Sequence, residues 1–116
     1  MSEFERNRHN ICIATGDTWI LPIAFKDAAG NPIDLTGRVV RVQVRTTKDA
    51  TGVPAMALTD GDGLTFNGPA GTVDIREDVA LVADDYFWEL ELSGGAPPTV
   101  SSPLWGSFKV EQDVVR

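Results

Sequence analysis

Asp84-Asp85-Tyr86-Phe87-Trp88-Glu89-Leu90-Glu91-Leu92 is the stretch that decides the fold class. Tyr86, Trp88, Leu90 and Leu92 recur with period two, so a strand would carry them on one face and Phe87, Glu89 and Glu91 on the other. Arg38 to Arg45 repeats the pattern. Val40, Val42 and Val44 face inward there and Arg41, Gln43 and Arg45 outward, and a slip of one residue would expose every valine. Trp19, Leu21, Ile23 and Phe25 form a third apolar stripe, within which Pro22 lacks an N–H and marks a sheet edge or a bulge. A closing strand over about Leu104 to Gln112 sets Leu104, Phe108 and Val110 against Trp105, Ser107, Lys109 and Glu111.

Eleven glycines and seven prolines fall between these short runs, as turns in a β protein require. Lys26 to Pro32 reads as a reverse turn, Thr46 to Val53 as a loop and Asp60 to Gly63 as a second turn. Leu64 to Phe66 and Thr72 to Ile75 read as a hairpin around residues 67–71, and residues 93–98 as a hairpin tip. Asn10 to Ala14 and Ala55 to Leu58 add shorter strands. Arg76 to Ala83 breaks the alternation, and Glu77 and Asp78 at its start favour one or two helical turns. The expectation is an all-β antiparallel β-sandwich of about seven strands with a short helical turn near 76–83. It forms a single domain over residues 10–116, after a flexible arm over residues 1–9.

The 116 residues suit one domain, which at this size buries roughly two thirds of its unfolded surface. Ten basic and seventeen acidic residues give a net charge of −7, unevenly spread. Residues 60–93 hold nine acids (Asp60, Asp62, Asp74, Glu77, Asp78, Asp84, Asp85, Glu89, Glu91) against Arg76 alone. Such a chain is a poor partner for nucleic-acid phosphate. No apolar run resembles a signal peptide or reaches the roughly 18 residues of a membrane span, so no membrane partner is expected. Cys12, the only cysteine, excludes an internal disulfide and a Cys-rich zinc site; between Ile11 and Ile13 it reads as a small buried hydrophobe.

Residues for catalysis are sparse. His9 is the only histidine and lies in a polar terminal segment, where it reads as a solvated residue. Neither a Gly-x-Ser-x-Gly elbow nor a phosphate-binding glycine loop is present. Asp84 and Asp85 with Glu89 and Glu91 offer carboxylate pairs of the kind glycosidases use, but acidic chains of any function contain such pairs. Asp60-Gly61-Asp62-Gly63 opens like a calcium loop, yet Leu64 and Gly71 stand where an EF-hand needs oxygen ligands. No catalytic residue, cofactor or metal is therefore expected. Arg41 and Arg45 are expected to pair across strands with Glu89 and Glu91. Phe87 and Trp105 on polar faces, Phe4 in the terminal arm, and the carboxylates Asp84 and Asp85 remain as interaction candidates, since large aromatics are enriched at interface cores.

Several segments in order carry a resemblance. Gly16-Asp17-Thr18-Trp19 leads into a strand, and Lys26-Asp27-x-x-Gly30-Asn31-Pro32-Ile33-Asp34-Leu35-Thr36-Gly37 leads into Arg38 to Arg45. Asp85-Tyr86-Phe87-Trp88-Glu89-Leu90-Glu91-Leu92 then precedes Gly106-x-Phe108-x-Val110. Over residues 15–116 this order resembles the small immunoglobulin-like module of bacteriophage tail and baseplate proteins, including upper-baseplate N-terminal domains. The resemblance implies an immunoglobulin-like sandwich, with Tyr86 similar to a tyrosine corner. It also implies a non-enzymatic virion structural protein, made in the host cytoplasm, that docks other virion proteins and forms a symmetric homo-oligomer. Upper-baseplate proteins carry receptor-facing or fibre-attaching domains after this module, whereas this sequence ends at Arg116, which implies an adaptor or ring component. The alternatives are a capsid decoration or fibre-anchoring subunit, and a carbohydrate- or cell-surface-binding module that stacks glycans on Trp105 and Phe87. The acidic loops predict salt-sensitive docking to a basic partner surface.

Overall fold

A computed structural model describes residues 7–46, 53–95 and 98–112. They form nine strands: β1 (Asn7–Arg8), β2 (Ile11–Ala14), β3 (Thr18–Ala24), β4 (Arg38–Arg45), β5 (Met56–Asp60), β6 (Gly63–Asn67), β7 (Thr72–Asp78), β8 (Asp84–Gly94) and β9 (Thr99–Glu111). The fold is all-β, with no helix among the described residues.

The strands join one curled sheet in the order β1-β9-β8-β4-β5-β6-β7-β3, and β2 also pairs with β9. The sheet is mixed rather than wholly antiparallel: β1 and β2 run parallel to β9, and β5 touches β6 in parallel at Thr59–Gly63 and Asp60–Leu64. Curling brings the far ends face to face. Trp19 of β3 meets Trp88 of β8 at 5.5 Å and Phe108 of β9 at 4.8 Å between ring centroids, both edge-on, the arrangement aromatic quadrupoles favour. The alternating residues line this interior: Val40, Val42, Val44, Tyr86, Trp88, Leu90, Leu92, Phe108 and Val110 are all buried. β3 lies at the sheet's edge, as Pro22 requires, and Ile20 on its outer face is 58% exposed.

Residues 76–83 do not turn into a helix. Arg76 to Asp78 complete β7, pairing with β3 as far as Thr18–Asp78. Val79 then donates to the Asp17 carbonyl at 2.8 Å, accepts from Gly16 N–H at 2.7 Å and buries its side chain. A helical turn would give up those backbone partners and pull Val79 out of the core. The Thr15 hydroxyl holds the Leu81 carbonyl at 2.7 Å, and the Tyr86 hydroxyl donates to the Val82 carbonyl at 2.8 Å. These bonds fasten the β7–β8 connection to the sheet.

Cys12 is exposed, not buried. Alternation explains the difference, because Ile11 and Ile13 pack against the core and the residue between them must face outward, beside Lys109. Pairing also begins earlier than the terminal arm suggests, at Asn7 opposite Leu104. The His9 side chain is exposed, yet its N–H donates to the Trp105 carbonyl at 2.7 Å and its carbonyl accepts the Trp88 indole N–H at 2.7 Å. Gly106 makes this approach feasible, since a Cβ there would collide with the His9 carbonyl.

Gly106→Ala is expected to lower stability by about 1–3 kcal/mol, as overpacking of a tight contact does. An unchanged urea midpoint would show that the terminal strand does not sit against Gly106. Burial, and secondarily the Asp84 carboxylate, raise the Tyr86 phenol above its ordinary pKa. The folded state therefore favours the protonated phenol: that stability is complete below the unfolded value of about 10 and is lost as pH rises through the folded value. Tyr86 is the only tyrosine, so tyrosinate absorbance reads it directly. Its midpoint should lie above that of the denatured chain, and coincident midpoints would contradict the buried hydroxyl.

Candidate interaction face

The outer face of β4, β8 and β9 collects the side chains that alternate away from the core. Cross-strand register arranges them in rows. Val39, Ser93 and Val100 form the first, Gln43, Glu89 and Trp105 another, Arg45, Phe87 and Ser107 the next, and Asp85 and Lys109 the last. Phe87 and Trp105 are thus diagonal neighbours on adjacent strands, a spacing of about 7–8 Å across which aromatic side chains interact. Both are half-buried. Val39 and Val100, 59% and 70% exposed, extend the apolar area toward the β8–β9 hairpin.

Polar partners order the surroundings. The Arg8 guanidinium lies 5.3 Å from the centroid of the Trp105 ring, a cation–π contact that contributes about 0.5–1 kcal/mol at an exposed site. Asn10 Oδ1 accepts from Arg8 Nε at 3.2 Å and from Ser107 N–H at 3.1 Å, which fixes the arginine relative to the ring. Arg45 Nη2 donates to Gln43 Oε1 at 2.9 Å, and the Ser102 hydroxyl to Glu89 Oε1 at 2.9 Å. Arg41 pairs with Glu91 at 2.9 Å, as expected from the two strand patterns. Solvent reaches that pair, so it orders the face more than it stabilises the fold. Arg45 stands opposite Phe87 rather than a glutamate, because the register places Glu89 across from Gln43.

A bulge shapes the upper part of the face. Leu90 pairs with Leu104 but Leu92 with Ser101, so Glu91 faces both Ser102 and Pro103. Pro103 is buried at this irregularity, where its missing N–H breaks no regular ladder.

Of the sequence candidates, Phe87, Trp105 and Asp85 share this face, and Phe4 lies outside the described residues. Asp84 alternates to the opposite side, exposed beyond the end of the core, and its carboxylate accepts the Asp85 N–H at 2.8 Å. Consecutive strand residues point oppositely, so these two carboxylates do not converge on one substrate. Arg8 is the contributor that sequence patterning overlooked. Its signal was the odd spacing from Ile11 and Ile13 that continues the terminal strand backward.

The acidic residues outside that face fall in separate places. Asp78 ends β7 and Asp84 opens β8, and Thr18 Oγ1 donates to Asp78 at 2.7 Å. Asp60 and Asp62 flank the β5–β6 turn, in which Thr59 and Asp62 exchange backbone hydrogen bonds of 3.0 and 2.8 Å. Asp60 Oδ1 accepts the Phe66 N–H at 3.0 Å and so serves the turn itself. Among the described residues, no three His, Cys, Asp or Glu side chains gather as metal ligands.

Comparison with known proteins identifies no relative: no family model matches the chain, and no curated protein matches it.

Proposed function

We propose that this chain is a non-catalytic docking module, an immunoglobulin-like sandwich that joins neighbouring proteins in a bacteriophage tail or baseplate. Strand pairing supports the fold. β3, β7 and β6 correspond to one sheet of such a sandwich, and β5, β4, β8 and β9 with β1 and β2 to the other, the parallel β5–β6 contact being the crossing between them. The Tyr86–Val82 bond supports it further, since a tyrosine at the start of the sixth sandwich strand that bonds back to the preceding loop is a hallmark of the immunoglobulin type. The ordered segments that resemble tail and baseplate modules supply the virion setting.

One observation carries the docking role: Phe87 and Trp105 sit diagonally on a three-strand surface, held by ordered polar neighbours and edged, beyond the bulge, by exposed valines. Half-buried aromatics ringed by polar groups are what an interface core needs, and a rigid surface loses little entropy on binding. A glycan-stacking role is the weaker reading, because Arg8 already lies over the Trp105 ring. The acidic turn and β8 start would add salt-dependent steering toward a basic neighbour.

Sedimentation velocity over a concentration series tests the proposal. The chain is expected to associate into one closed species, because heterologous contacts that close make rings. Trp105→Ala and Phe87→Ala should each weaken that association at least about tenfold, as loss of a hot-spot aromatic does, and high salt should weaken it as well. A monomer at every concentration, or association indifferent to both substitutions, would contradict it.

A further inference from the structure

We infer that Pro22 closes the open edge of β3 to pairing with the same strand of a second copy. β3 ends the strand order and pairs with β7 alone among the described strands. Its other edge therefore carries backbone groups outside any ladder, and such an edge is a template for a strand from another chain.

The register shows which groups those are. Phe25 N–H donates to the Gly71 carbonyl and Val79 N–H to the Asp17 carbonyl, each at 2.8 Å, at the two ends of the β3–β7 ladder. Bonded positions alternate along an antiparallel pair. Trp19, Leu21 and Ile23 thus turn their backbone groups toward β7, and Thr18, Ile20, Pro22 and Ala24 turn theirs to the open edge. Pro22 lies within the outward set, where its missing N–H takes nothing from the β3–β7 ladder. A proline one position earlier or later would break that ladder.

The strand needs a guard of this kind. Thr18-Trp19-Ile20-Leu21-Pro22-Ile23-Ala24 contains no charged residue, and Ile20 is 58% exposed. Without the proline it would have the composition of a segment that pairs across chains, with high β propensity and no charge to repel a copy of itself. The other end of the strand order is blunted by length instead, since β1 has two residues. An antiparallel pair of β3 strands centred on residue 22 would set Ile20 against Ala24 and Pro22 against its own copy, where neither side has a donor. A pair centred on Leu21 would set Ile20 against Pro22 and lose a bond on each side of the axis. Both registers that overlap the strand best are therefore disabled by one residue.

Sedimentation velocity combined with residue-resolved amide exchange tests this. In the unaltered chain the Ile20 and Ala24 amides are expected to exchange fast at every concentration. Pro22→Val restores the donor at an exposed position that leaves the core side of β3 unchanged. It should strengthen self-association at least about tenfold, as a pair of restored hydrogen bonds does, with concentration-dependent protection at those two amides. Adding Ile20→Lys should reverse the gain, because an edge lysine repels its copy. Adding Trp105→Ala instead should leave the gain intact, which separates the edge from the proposed docking face. Concentration-dependent protection of Ile20 and Ala24 in the unaltered chain would overturn the inference, as would a folded Pro22→Val chain that associates no more than the unaltered one.

Discussion

The edge-on packing of Trp19 against Trp88 and Phe108 is the interaction on which the rest depends. It joins β3, at one end of the strand order, to β8 and β9 near the other, and so curls one long sheet around a single core. Trp88 does more than fill space. Its indole N–H holds the His9 carbonyl, which anchors the terminal strand across Gly106 and brings Arg8 to Trp105. The buried side of β8 thereby sets the composition of its exposed side. Removing the Trp88 ring would cost roughly 3–5 kcal/mol in the core, a large share of the stability a domain of this size has.

The strands that alternate cleanly were legible in the sequence. β3, β4, β8 and the later part of β9 each bury one face and expose the other, and the pairing of Arg41 with Glu91 followed from the patterns of β4 and β8. The β6–β7 hairpin and the edge position of Pro22 were legible from turn chemistry and the missing donor. What escaped was set by partners distant in sequence. Helical capping signals at Glu77 and Asp78 lost to the backbone of Asp17 and Gly16, which local sequence does not announce. Cys12 was misplaced by its apolar neighbours, although strict alternation would have put it outside. The parallel pairing of β1 and β2 with β9 joins residues nearly a full chain apart, and the bulge at Pro103 belongs to the separate β8–β9 register.

The candidate face was half legible. Phe87 and Trp105 stood out as aromatics on polar faces, but their diagonal adjacency depends on a β8–β9 register that the turn at residues 93–98 does not specify. Charge was easier to count than to place. The acidic excess reads as one block in sequence, whereas in the fold Asp85, Glu89 and Glu91 lie on the outer face of β4, β8 and β9, Asp78 and Asp84 at the β7–β8 end, and Asp60 in its own turn. Only part of the net charge thus lies beside the half-buried Phe87 and Trp105.

Amide hydrogen exchange, compared between the assembled and the dissociated chain, tests the proposed docking face most directly. The account predicts that added protection centres on residues 87–89 and 105–107 and on Arg41 to Arg45. Protection confined to the outer surface of β3, β7 and β6, with those segments unchanged, would contradict it.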